Sequence, residues 1–96
     1  MRIEIKKFGD ILTSRPAGKE AYLSASAYIL PKNSSEEIIL DFADVKVLSP
    51  SWGDEFISKI VEEYPGKVSC ENTENLSVQA TIQLLEKLNG ITFTKK

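Results

Sequence analysis

The sequence predicts an α/β fold: a single domain over residues 1–96, with a small mixed sheet of four to five strands and about three helices mainly on one face. Three observations carry this. Apolar patterning along the chain alternates between the period of strands and the period of helices. Ile38-Ile39-Leu40 is an unbroken apolar run ending at Asp41, as expected of a central strand. Gly53, Phe56, Ile57, Ile60, Val61 and Tyr64 recur at helical spacing, with Asp54, Glu55, Ser58, Lys59, Glu62 and Glu63 falling elsewhere. Ninety-six residues with 42% apolar content can bury one core and are too few for two.

Taken in order, Arg2-Ile3-Glu4-Ile5-Lys6 alternates polar and apolar residues like a half-exposed strand, and Gly9-Asp10 offers a turn into Ile11-Leu12-Thr13, which predicts an N-terminal hairpin. Thr13 or Ser14 caps the first helix, with Pro16 in its first turn. Ala17, Ala21, Ala25 and Ile29 give that helix a small-residue stripe that lets it sit close to the sheet. A polar loop, Pro31-Lys32-Asn33-Ser34-Ser35, leads to the central strand. Ser51-Trp52-Gly53-Asp54 fits a capping box for the second helix, and Pro65-Gly66 stops it. Trp52 reads as lying off the Phe56/Ile60 stripe, which leaves two placements: partly in solvent as a docking anchor, or folded back onto Phe42 or the loop as a lid on the core. Lys67–Glu71 is a short strand, followed by a loop at 72–75. A third helix runs from about Leu76, with Val78, Ile82, Leu85 and Leu88 apolar and Asn89-Gly90 as its stop. Ile91-Thr92-Phe93-Thr94 adds a last strand. Right-handed crossovers then place the helices on one side and leave the other face open or covered by a partner, such as a second copy.

Composition narrows the chemistry. The chain has no histidine, which removes the commonest neutral-pH base and zinc ligand, and its one cysteine cannot form a sulfur-rich metal site. The glycines are scattered singly, so no phosphate-cradling loop or dinucleotide fingerprint can be assembled. No cofactor, metal site or catalytic residue is expected on this reading. Cys70 reads as a small buried hydrophobe. A formal charge of −2 gives no general attraction for nucleic acid or anionic membrane, and Lys6, Lys7, Arg15, Lys19, Lys95 and Lys96 are ordinary for a solvated surface. A lone cysteine, no charged-then-apolar leader and no membrane-length apolar run make the cytoplasm the expected location.

At the centre of the chain, Leu40-Asp41-Phe42, then Val45, then Ser51-Trp52-Gly53-Asp54-Glu55-Phe56 resemble the STAS-like domain family of unknown function, with Ser14-Arg15 and Asn72 as weaker matches. That family is similar to STAS domains, the fold of anti-sigma-factor antagonists. The resemblance implies a STAS-like sheet-and-helix domain and a regulatory role. In the antagonists, a strand ending in apolar-Asp-Ser-Ser-Gly delivers a serine to a helix start, where an ATPase-fold kinase phosphorylates it. Laid on that signature without gaps, Ser49 falls at the acid, Pro50 at the phosphoacceptor, Ser51 at the second serine and Trp52 at the glycine.

The leading reading is therefore a noncatalytic protein-interaction module that docks through Ser49, Ser51, Trp52, Asp54 and Glu55, with an ATPase-fold regulatory kinase as the implied partner. A second reading keeps a phosphorylation switch at Ser51 or Ser49, where a phosphate would bring nearly two negative charges to a neutral hydroxyl. A third is a small carboxylate- or metal-dependent enzyme, in which Asp41, Asp44, Asp54 and Glu55 converge at the end of the central strand. A homodimer is compatible with all three.

Overall fold

The computed structural model describes residues 1–33 and 35–95. Ser34, in the polar loop before the central strand, and Lys96, among the surface cations, lie outside the described residues.

The first strand, β1 (Arg2–Glu4), runs directly into a 3-10 turn at Ile5–Phe8. Gly9 follows at φ 127° and ψ 165°, a conformation open to glycine and closed to most side chains. It redirects the chain instead of folding it back, so the expected hairpin does not form. The second strand, β2 (Ile11–Leu12), lies parallel to β4 (Val47–Leu48), Leu12 opposite Leu48, in a separate two-stranded sheet. Burial supplies the reason: Ile5 and Leu12 are both inside the core in this arrangement, and the seat beside β1 is taken by β3 (Ile38–Asp41).

The main sheet has the order β1-β3-β5-β6, where β5 is Val68–Glu71 and β6 is Thr94–Lys95, and every pairing is parallel. The expected central strand is therefore central, flanked by β1 and β5. Each crossover carries one helix. Helix α1 (Arg15–Tyr28) precedes β3. Helix α2 joins β3 to β5 and is assembled from Pro50–Gly53, a π-helical turn at Asp54–Ser58, and Lys59–Glu63. Helix α3 (Leu76–Asn89) follows β5 and ends at Gly90, whose left-handed φ of 65° closes its last turn.

Strand alternation sorts the two faces of the sheet. Ile3, Leu40 and Cys70 lie in register and are all buried, as are the inner residues of the three helices. The opposite side carries Arg2, Glu4, Ile39, Asp41, Ser69 and Glu71, a mostly polar surface. Cys70 sits on the core side with no exposure, and burial pushes its thiol up to about 12, in keeping with a small apolar filler.

Two helix faces differ from their sequence reading. In α1, Ala21 and Ala25 are buried and Ala17 is exposed, while Gly18 is the point of closest approach, against α2. In α3, Val78, Ile82 and Leu85 face the core, but Leu88 is 64% exposed. Asn89 turns inward in its place and donates from Nδ2 to Ser58 Oγ at 2.9 Å.

Candidate functional site

Two helix starts lie side by side at one rim of the domain. Ser14 caps α1, its hydroxyl accepting from the Ala17 N–H at 3.1 Å. Ser49, not Ser51, caps α2: its Oγ accepts from the Trp52 N–H at 3.2 Å and donates to the Thr13 carbonyl at 2.8 Å. Pro50 then occupies the first turn, where a missing N–H costs nothing. Because the Ser49 N–H also donates to the Leu12 carbonyl, this one serine fastens α2 to the connection between β2 and α1. On its other flank, β4 is held by α3. Ser77 Oγ accepts from the Leu48 N–H at 3.0 Å, Thr81 Oγ1 donates to the Leu48 carbonyl, and Asn75 Nδ2 donates to the Lys46 carbonyl at 3.1 Å. The backbone leading into the rim is thus pinned on both sides.

Arg15 spans the rim surface, its guanidinium 3.1 Å from both Asp54 Oδ2 and Glu55 Oε2. Those two bonds hold its pKa above the usual arginine value. Pro50 is exposed, and Ser49, Ser51, Asp54 and Glu55 are half-buried. Among the described residues, nothing donates to or accepts from the Ser51 hydroxyl.

Trp52 does not belong to that surface. It is 1% exposed, with its ring stacked on Phe56 at 4.8 Å and Phe8 packed at a tilt against both. The expectation of a solvent-facing aromatic anchor is corrected here: Trp52 and Phe56 are four residues apart, so a helix turns both toward the same side, and the cluster with Phe8 buries them together. Tryptophan is the floor under the rim and not a contact on it.

The four acids once grouped as a cation site separate. Asp54 and Glu55 belong to Arg15, while Asp44 is exposed in the loop after β3 with φ 64°. Asp41 lies at the end of β3, where Asn72 Nδ2 donates to it at 2.7 Å, the Ala43 N–H at 3.0 Å and Arg2 at 3.0 Å. Arg2 also reaches Glu71 at 2.6 Å and so ties β1, β3 and β5 together. Among the described residues, no group of three or more acids or cysteines is placed to hold a metal ion.

Burial alone would raise the Asp41 pKa, but the hydrogen bonds from Asn72, the Ala43 N–H and Arg2 outweigh it and hold the carboxyl below its ordinary value. A carboxylate depressed in the folded state stabilises the fold above its unfolded pKa, and that contribution disappears as pH falls through the folded pKa. We therefore expect Asp41→Asn to lose about 1–3 kcal/mol in urea unfolding at about pH 7, with the gap to wild type closing as the pH falls below the ordinary aspartate range. A gap of equal size at both pH values would show that the Asp41 charge contributes nothing.

The family model for the STAS-like domain of unknown function (DUF4325) matches residues 27–77, just over half of the chain. The chain belongs to this family. No curated protein and no solved structure matches it. The matched stretch of the STAS-like domain holds β3, Asp41, Asn72 and the whole segment from Ser49 to Glu55, while Ser14 and Arg15 lie outside it and join the rim through the fold. Sequence reading missed Arg2 as the partner of Asp41 and Glu71, a pairing set by strand register. It also missed Asn75 as the cap of α3, where its side chain accepts from the Val78 N–H at 3.1 Å; an asparagine directly before an apolar helix was the available signal. Of the described cations grouped from the sequence, Lys6, Lys7, Arg15, Lys19 and Lys95, it is Arg15 and Lys95 that acids engage, the latter through Glu86 at 3.0 Å. No described helix is long and apolar enough to cross a membrane.

Proposed function

We propose that this STAS-like domain is a noncatalytic regulatory module that docks a protein partner through the rim formed by Ser49, Pro50, Ser51, Asp54 and Glu55, with Arg15 alongside. The observation that supports it is the pinned double helix start. A polar surface held on both flanks and floored by an aromatic cluster loses little conformational freedom on binding, which favours recognition. By analogy with the anti-sigma-factor antagonists that the family resembles, an ATPase-fold regulatory kinase is the partner to try first, and the cytoplasm is where the pair would meet. The reading carries no catalytic step: Ser49 Oγ is committed to two backbone partners and has no histidine to act as its base.

The test is affinity capture of that kinase class, or of the product of a neighbouring gene, by wild type and by Ser51→Arg and Glu55→Arg. We expect tenfold or greater weakening, in the sense that loss of one well-placed interface group costs about 1.4 kcal/mol or more, with an unchanged far-UV spectrum. Equal binding by wild type and both variants removes the rim as the interface.

One observation favours a switch at Ser51 over Ser49. Ser51 is half-buried, its hydroxyl has no hydrogen-bond partner among the described residues, and Arg15 offsets the charge of Asp54 and Glu55 in the same turn. Intact-mass measurement of protein from its native cell tests this, since a domain unmodified under every growth condition leaves the switch without support.

A further inference from the structure

Helix α3 carries two apolar faces, of which the fold uses one. Val78, Ile82 and Leu85 are buried, whereas Leu76, Ala80, Leu84 and Leu88 form a second row at four-residue spacing on the outside. Leu76 is 80% exposed, Leu84 39% and Leu88 64%. Solubility gives no reason to place three leucines in one exposed ridge, and rows of this spacing are the ones that interlock in the commonest class of helix pair.

The row is symmetric about position 82, and this symmetry selects the occupant. In an antiparallel pairing of two copies about a twofold axis, Leu84 of each faces the small Ala80 of the other, and Leu76 of each faces Leu88. Large meets small at the centre, where the backbones must approach, and leucine meets leucine at the ends. The same arrangement brings the exposed Glu74, just before the helix, within a helical turn of Lys87 near the far end of the other copy, and sets the two helix dipoles head to tail. The polar face of the sheet, with Arg2, Glu4, Asp41 and Glu71, offers a second copy no comparable apolar contact.

We infer that this domain forms a homodimer through the outer face of α3. A helix of this length spans about 21 Å, so the contact falls at the small end of specific interfaces and the dimer is weak, with dissociation in the micromolar range or above. None of the row residues belongs to the rim, so the inference stands independently of the docking reading.

Sedimentation equilibrium from about 10 µM to about 1 mM, the range suited to such an affinity, should show the average mass rising toward twice the monomer. Leu88→Lys and Leu76→Glu, both at well-exposed positions, should each reduce association at least tenfold with an unchanged melting temperature. The double variant Leu76→Glu/Leu88→Lys should restore it, because the antiparallel register faces each new acid with a new lysine. Ser51→Arg should leave the masses unchanged. A monomer throughout the range overturns the inference, as does a dimer indifferent to both single substitutions. Failure of the double variant to recover overturns the antiparallel register.

Discussion

Trp52→Ala will bring the domain close to unfolding. Large aromatic to alanine changes in a core cost about 3–5 kcal/mol, against a total of roughly 5–15 kcal/mol for an ordinary domain. For a chain of this size the melting temperature should fall by about 15–30 °C. The upper part of that range is expected, because the ring is shared. Removing it strips one face from Phe56, whose centroid is 4.8 Å away, and one neighbour from Phe8 at 6.2 Å, and the cavity opens beneath the first turn of α2. Trp52→Phe should lose less, keeping the stack and forfeiting only part of the volume. Urea unfolding of the three proteins measures the difference. Acrylamide gives a check without mutation: Trp52 fluorescence should resist quenching in the native protein and quench freely in urea. Strong native quenching, or an alanine variant within about 0.5 kcal/mol of wild type, would return the tryptophan to the surface. It follows that loss of a partner by Trp52→Ala cannot locate an interface, and substitutions at Ser51 or Glu55 must do so.

The features that could be read in the sequence are those set by neighbours a few residues apart. The Ile38-Ile39-Leu40 run, the apolar period from Phe56 to Tyr64 and the Asn89-Gly90 stop each encode their element locally, and each element is where its pattern places it. The cap of α2 was equally local, but the capping-box spacing assigned it to Ser51, which lies inside the helix. Pro50 points to Ser49 instead, since proline favours the first helical position and so makes the residue before it the cap. The burial of Trp52 was in the four-residue step to Phe56. What could not be read is whatever depends on distant pairing. Ile11–Leu12 has the composition of a hairpin arm, yet its partner is Val47–Leu48, thirty-six residues on. A two-residue strand carries too little pattern to announce that choice. For the same reason the acids could not be sorted by spacing. Asp41 and Asp54 are near in sequence, but strand register gives one to Arg2 and helix packing gives the other to Arg15.

Gly18→Ala should destabilise the protein, reversing the sign of the usual effect. In a helix interior alanine is favoured over glycine by about 1 kcal/mol, and on an open helix face the substitution would raise stability. At position 18 a Cβ would stand 2.6 Å from the Trp52 carbonyl oxygen and 3.0 Å from the Trp52 Cα. Both atoms are backbone, so neither can rotate away. Relief requires α1 to withdraw from α2, and the first turn of α2 cannot follow because Ser49 and Trp52 are held by the cap and by the aromatic cluster. Overpacking costs about 1–3 kcal/mol, and a contact of 2.6 Å against backbone belongs at the upper end of that range, so after the propensity gain of about 1 kcal/mol a net loss of up to about 2 kcal/mol remains. Withdrawal would also lengthen the bonds from Arg15 to Asp54 and Glu55 and loosen the proposed docking rim. Gly18→Ala should therefore weaken partner binding beyond its fraction unfolded, whereas Ser26→Ala, on the exposed side of the same helix, should leave binding unchanged and raise stability by about 0.5 kcal/mol or less. Thermal melts of the two variants measure the sign directly. A more stable Gly18→Ala would mean that α1 does not rest on the Trp52 carbonyl, and the two helix starts would then no longer be joined in one surface.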